Sequence, residues 1–433
     1  MTSRLRLRSF LLPLATVLLL AAQVIDPSPV WKGLLTAFGA TWLLSYLWAR
    51  TLLRNLRLER AMRYGWAQVG DRLEEQFELH NEGWLPATWV EISDGSTLPG
   101  YSVAQATGVD GNSRNSWRTS GTCIRRGVFT LGHTRMASGD PFGIYRVELA
   151  YPEAVALTIM PPIIPLPFLD TAVGGWQGEG HPRPYSNADT LSAETVRPYS
   201  PGDSLRLMHW PTFARRGEPY VRVLEGAPAS DWWIVLDVEK RVQAAVDQAE
   251  STLELGIILA ASVAHRGLRM HRSVGLVAAG QPPVWKRPEQ GEQQRWELLR
   301  TLAKLEVGST PLASLLEAAG PSFGRQSTIV VITPSTDGDW VRALSKRAAR
   351  LAGSAAATVL LVDPSTFDAA SSPVSIGGLL REAGIPNWIL GRELLTRPEA
   401  RPGPGGQWEW RVLPTGKAVP VRRPAETAWK GLR

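Results

Sequence analysis

DWWIVLD, from Asp231 to Asp237, reads as the buried strand that opens a new domain. Trp233 to Leu236 run without a polar break and end on an acid, as expected of a central parallel strand covered on both faces. Downstream, Val246, Ala249, Leu253, Ile257, Ala260 and Ala264 form a helical stripe through Arg266. Val274–Val277 is the next strand, Gln293 to Leu305 a helix and Thr310 to Ala319 a short one. Strands follow at Thr328–Thr333 and Ala357–Val362, separated by a basic helix over Trp340–Leu351. This alternation predicts a doubly wound α/β domain over 231–395, with ligands held at the carboxyl ends of its strands. Residues 396–433 are rich in Pro and Gly, then basic, and predict an irregular tail.

Immediately upstream lies RPYSPGDSLRLMHWPTFARRGEPYVRVLE, Arg197 to Glu225, which with its flank makes a segment of its own over 197–230. Pro201-Gly202-Asp203 is turn chemistry. Arg206 stands three residues beyond Asp203, within ion-pair reach on one helical turn. Trp210 and Ala214 fall on a similar face, and Tyr220, Arg222 and Leu224 predict a strand. Two uses fit these residues. One is a clamp, with Asp203 held by Arg206 or Arg215 and Trp210 plugging a domain seam. The other is a surface for a ligand or partner.

The segment resembles the signature of domain-of-unknown-function family fifty-eight, a bacterial family with a von Willebrand factor A-like domain. The likeness rests on Arg197, Tyr199, Gly202, Asp203, Arg206, Trp210, Ala214 and Arg215. A second matching piece, RRGVFTLGHTRMASGDPFGIY, runs from Arg125 to Tyr145. Such proteins are often encoded beside MoxR-type AAA ATPases, so the resemblance implies that kind of partner. It also implies a divalent-cation motif, Asp-x-Ser-x-Ser with a Thr and a later Asp, whose hard oxygens suit Mg²⁺. Asp237 and Thr310 match. The two Ser positions are Glu239 and Arg241, and the later Asp is Pro334, with Asp337 three residues on. A degenerate site, with Asp237 pairing with Lys240 or Arg241, is the expectation; Glu239 or Asp337 are the substitutes a retained ion would use.

The amino end reads differently. Phe10 to Ile25 and Val30 to Trp48 are apolar runs near the length of a membrane span, joined by Asp26-Pro27-Ser28-Pro29. Arg residues flank the pair and none lies in the turn. The expectation is a transmembrane helical hairpin with a juxtamembrane basic helix over 1–64, anchored in the bacterial cytoplasmic membrane with the soluble domains inside. Over 65–165 the period becomes two: Leu73, Phe77 and Leu79 alternate with charged residues, and Ala87–Ile92, Gly127–Leu131, Gly143–Tyr151 and Val155–Met160 read as strands. A small all-β sandwich is expected there. Ala106–Ser116 reads as a loop and 166–196 as a Pro- and Gly-rich linker.

The chain has 433 residues, a net charge of +7 and one cysteine, Cys123. Its length accommodates two domains. One cysteine excludes an intrachain disulfide and a cysteine metal cluster. Much of the excess charge sits at the two ends, and no nucleic-acid module is visible. There is no HExxH, P-loop, GxGxxG or Gly-x-Ser-x-Gly. The sequence therefore points to a membrane-anchored interaction or assembly protein, an adaptor or scaffold for a MoxR-type AAA ATPase. The alternatives are an enzyme, such as a hydrolase, using Asp203, His209 and Asp237, or a metal-dependent ligand-binding domain.

Overall fold

The computed structural model describes residues 2–62, 66–166, 193–199, 208–224, 231–247, 250–324, 327–349, 357–396, 409–412, 418–422 and 430–432. Its amino-terminal part contains β1 (Thr2–Leu7), α1 (Leu11–Ile25), α2 (Pro29–Asn55), β2 (Leu56–Met62), β3 (Trp66–Gln68), β4 (Arg72–Asn81), β5 (Ala87–Ser93), β6 (Gln105–Val109), β7 (Ser113–Thr122), β8 (Gly127–Gly139) and β9 (Tyr145–Met160). One sheet has the order β1-β9-β8-β5-β6, with β3 also on β9, and β2, β4 and β7 belong to a second. Alternation fixes which side faces in. Leu73, Phe77 and Leu79 of β4 share one buried cluster with Val90, Ile92, Leu131, Val147 and Leu149 of the other sheet.

Glu75 lies on that same inward face and is fully buried. Arg60 of β2 answers it, donating from Nε to Glu75 Oε1 at 2.9 Å and from Nη2 to Oε2 at 2.7 Å. The same guanidinium donates from Nη1 to Asp94 Oδ1 at 3.1 Å and to Thr134 Oγ1 at 3.2 Å. Tyr101 donates its hydroxyl to Glu75, and Arg60 lies 5.2 Å from the centre of the Phe77 ring. One buried cation thus joins the two sheets.

The two apolar runs correct the expected transmembrane hairpin and its membrane location. No helix among the described residues is long and apolar enough to cross a membrane. At 15 residues α1 is about 22 Å long, short of the roughly 30 Å hydrocarbon thickness. The 27 residues of α2 include Lys32, Arg50 and Arg54, and its last turns belong to the β module, where Ser45, Ala49 and Leu52 are buried. Trp42 Nε1 donates to the Tyr145 hydroxyl at 2.8 Å and Trp48 Nε1 to the Pro86 carbonyl at 3.0 Å. The expected basic helix stops at Asn55, and 56–62 is β2, because Leu56, Leu58 and Met62 alternate into the core. Likewise the expected loop at 106–116 holds most of β6 and the start of β7, and the two strands expected between Gly143 and Met160 are the single β9.

Two antiparallel strands, β10 (Ala193–Pro198) and β11 (Tyr220–Leu224), flank α3 (Trp210–Arg216). Then come β12 (Trp232–Leu236), α4 (Thr252–Arg269), β13 (Val274–Ala278), β14 (Val284–Glu289), α5 (Gly291–Lys304), α6 (Leu312–Ala319), β15 (Thr328–Thr333), α7 (Asp339–Ala348), β16 (Ala357–Val362), α8 (Val374–Glu382) and β17 (Asn387–Leu390). They build a sheet of order β14-β13-β12-β15-β16-β17, parallel except for β14. Every residue of β12, β13, β15 and β16 is buried. Trp232, Ile234 and Leu236 face α4 and α5, and Trp233 and Val235 face α6, α7 and α8. α4 begins at Thr252 rather than near Val246 because Ser251 caps it, its Oγ accepting from Glu254 N–H at 3.2 Å. Three short strands, β18 (Glu409–Val412), β19 (Ala418–Arg422) and β20 (Lys430–Leu432), complete the described chain; β20 pairs with β2.

The modules are joined by packing, not by covalent continuity alone. Ile164 and Leu166, just past β9, lie in the core beneath α4. Ile164 N–H donates to Ser262 Oγ at 2.9 Å. Arg126, from the second matching piece, is buried against the α/β domain. It donates to the carbonyls of Leu302 (3.2 Å) and Leu305 (2.7 Å) at the carboxyl end of α5, and to Glu254. A guanidinium there satisfies terminal carbonyls and meets the negative end of the helix dipole. Trp66 and Trp296 meet edge to face at 4.6 Å beside it.

Candidate functional site

The chain leaves β12 through α4 for β13 on one side and later enters β15 on the other. The reversal puts a crevice at the carboxyl ends of β12 and β15, where open α/β sheets hold ligands. Asp237 stands at that point, directly after β12, and is buried. Thr333 Oγ1, from the last residue of β15, donates to Asp237 Oδ2 at 2.7 Å, and Glu239 N–H donates to Oδ1 at 3.0 Å. Thr333 Oγ1 in turn accepts from Ser335 N–H at 2.9 Å. Burial pushes the Asp237 carboxyl up to about 6; the Thr333 and Glu239 hydrogen bonds oppose the rise, and nearby Glu239 and Asp337 add to it.

Arg241 closes the mouth of the crevice. Its Nε donates to Glu239 Oε1 at 3.1 Å and its Nη2 to Asp337 Oδ2 at 3.2 Å, tying the loop after β12 to the loop after β15. Beside it lies a cavity of about 300 Å³, lined in part by Gln243, Thr336, Asp337 and Ser371. Gly308 brings a third loop alongside, donating to the Val238 carbonyl at 2.8 Å and accepting from Lys240 N–H at 2.9 Å. A Cβ at Gly308 would collide with the Ala279 carbonyl, so the close approach requires glycine. Thr310, two residues on, is exposed.

This donor set does not suit Mg²⁺. Both carboxylate oxygens of Asp237 are engaged, Thr310 is not the hydroxyl that meets them, and a guanidinium occupies the mouth. Of the two sequence-matched ligands, the structure puts Asp237 at the crevice and leaves Thr310 on its flank. Thr333 and Ser335 were missed by sequence reasoning. The signal was a hydroxyl residue ending one buried strand, opposite the acid that ends its neighbour.

The signature residues fall on β10 and α3. Arg197 lies in β10 opposite Val221, and Tyr199 N–H donates to the Pro219 carbonyl at 2.8 Å. α3 carries Trp210, Ala214 and Arg215 and buries none of its residues. Trp210 is 61% exposed and meets Phe213 edge to face at 6.1 Å. Arg216 stacks over the Tyr220 ring at 5.5 Å. His209 Nδ1 is 2.7 Å from Thr212 Oγ1. Gly202, Asp203 and Arg206 lie outside the described residues, as does any pairing of Asp203 with Arg206, Arg215 or His209.

Fold and site together define a two-module protein: a pair of largely antiparallel sheets docked on an open α/β domain whose switch point is locked by an Asp–Thr bond and an arginine bridge. Residues 195–366 match the family described as "Protein of unknown function DUF58". No curated protein matches it. Among solved structures, the complex of Zinc 2-glycoprotein and Prolactin inducible protein from human seminal plasma is similar at 8% identity, over 24% of this chain and 96% of that one, with a TM-score of 0.20. A β-glucosidase from Listeria innocua in complex with glucose matches at 9% identity over 24% of this chain and 16% of its own (TM-score 0.15). A Paenibacillus sp. cycloisomaltooligosaccharide glucanotransferase matches at 8% over 71% and 45% (TM-score 0.17). This chain thus spans less than half the length of either enzyme.

Proposed function

We propose that this protein is an interaction and assembly module, an adaptor or scaffold for a MoxR-type AAA ATPase, built on a von Willebrand factor A-like domain and docking through α3. The observation that carries this reading is the exposure of Trp210 and Phe213 on a helix with no buried residue, flanked by Arg215 and Arg216. Aromatic and arginine side chains of this kind dominate binding energy at protein interfaces. The ATPase comes from the family resemblance and the docking helix from its exposure. A hydrolytic reading finds less support: Asp237 spends both oxygens on Thr333 and Glu239, and His209 meets a threonine hydroxyl. The test is capture of the purified ATPase by the full chain, with and without ATP. Nucleotide-dependent capture lost in Trp210→Ala with folding intact supports the docking helix. No capture by wild type, or full capture by the variant, overturns it.

A further inference from the structure

A groove of about 540 Å³ lies on the outer face of the β1-β9-β8-β5 sheet, remote in sequence from the signature helix. Strand register decides what lines it. Across the sheet, Arg4 of β1 stands opposite Glu148 of β9, which stands opposite Ala137 of β8 and then Glu91 of β5. In the next row Thr2, Ala150, Arg135 and Ser93 face one another in the same order, and Arg6 faces Arg146 on the other side. Alternation sends the intervening Val147, Leu149 and Met136 into the core. Ala137 and Ala150 give the groove a low floor, and the long guanidinium stems rise around it.

The charges do not cancel. Glu148 pairs with Arg6 (3.5 Å) and Arg146 (3.7 Å), and Glu91 with Arg146 (3.1 Å). Four arginines against two glutamates leave the groove at +2. Arg4 and Arg135 are exposed, and neither makes a side-chain hydrogen bond or ion pair with the described residues. They lie on strands separated by β9 alone, about 10 Å apart across the sheet.

We propose that this groove binds an extended acidic segment of a partner protein, with Arg4 and Arg135 receiving its carboxylates. Alternate residues of an extended chain point to one side, so acids at every second position all face the groove. The side-chain chemistry favours peptide over nucleic acid. Trp89, the aromatic ring at this face, is covered by Arg146 at 5.8 Å and offers no free platform for a base. Glu91 and Glu148 would also lie under a continuous phosphate backbone, whereas discrete carboxylates can sit over Arg4 and Arg135, on either side of the strand that carries Glu148.

The experiment uses the full chain and a fluorescein-labelled peptide of alternating Glu and Ser, followed by anisotropy at low and high salt. Binding should weaken with salt, and Arg4→Ser with Arg135→Ser should reduce it about tenfold. The charge-reversed pair Arg4→Glu with Arg135→Glu should abolish it and acquire affinity for the matching Lys–Ser peptide. Arg215→Ser with Arg216→Ser, the same charge loss on α3, should leave peptide binding intact. Absence of binding, or equal loss in the α3 control, overturns the assignment. So does single-stranded oligothymidine of equal charge binding more tightly than the peptide through Arg4 and Arg135, which would mark a nucleic-acid surface. Circular dichroism confirms that each exposed-residue variant is folded.

Discussion

Asp237 is a carboxyl held where its charge is unfavourable. Its folded value of about 6 lies above the ordinary carboxylate range. Its stabilising contribution is therefore complete below about pH 4 and lost as pH rises through about 6, at a cost of up to roughly 3 kcal/mol. Asp237→Asn keeps an acceptor for Glu239 N–H and cannot ionise. The variant should match wild type near pH 4 and exceed its stability at pH 7.5, measured by urea unfolding across that range. A wild type that gains stability relative to the variant over this interval would refute the argument. Arg60 is the opposite case, a buried cation serving Glu75 and Asp94. Arg60→Met strands both acids and should cost about 3–5 kcal/mol, read as a fall in urea midpoint. An unchanged midpoint would mean the sheets do not depend on this clamp.

Among the elements, α3 makes the sharpest separation between stability and binding. Trp210 projects into solvent, so Trp210→Ala should change stability by no more than about 0.5 kcal/mol in thermal melts while reducing partner capture. A large loss of stability would instead restore the role of seam plug. The signature residues were legible as a group because charged, aromatic and turn residues crowd one short segment. Which of them face solvent was not, since a seven-residue helix has too few turns for periodicity to mark a buried side. β12 was legible for the converse reason: five consecutive buried positions leave a continuous apolar run. Thr333 escaped notice because a threonine ending a strand is ordinary until the neighbouring strand is known. The same holds for Glu75, whose partner is 15 residues away in sequence.

At the scale of the whole molecule, Arg126 transmits between modules. Its three acceptors lie on α4 and at the carboxyl end of α5, far from it in the chain. Arg126→Met should remove the donor that serves Glu254 and the Leu305 carbonyl and one of two serving the Leu302 carbonyl, lower stability by about 3–5 kcal/mol, and split a single calorimetric unfolding transition into two. One transition at an unchanged temperature would show that the apolar contacts of Ile164 and Leu166 suffice to couple the modules. The helical pair α1–α2 is likewise settled at this scale, since its last turns end in the β module's core rather than continuing as an independent helix.

Sequence by itself determined the change of period from two to alternating strand and helix, the buried strands at 232–236, 328–333 and 357–362, and the family signature. These are local properties, carried by hydrophobic spacing and turn chemistry within a few residues. Tertiary structure alone decided what apolar length means at the amino end, which hydroxyl meets Asp237, and how Arg60, Arg126 and the groove arginines are partnered. Hydropathy of a run does not record where its helix ends, nor that the last turns of α2 will be buried in the β module. Ion pairs and hydrogen bonds between residues 15 to 179 positions apart are set by strand order and register, which no single segment encodes.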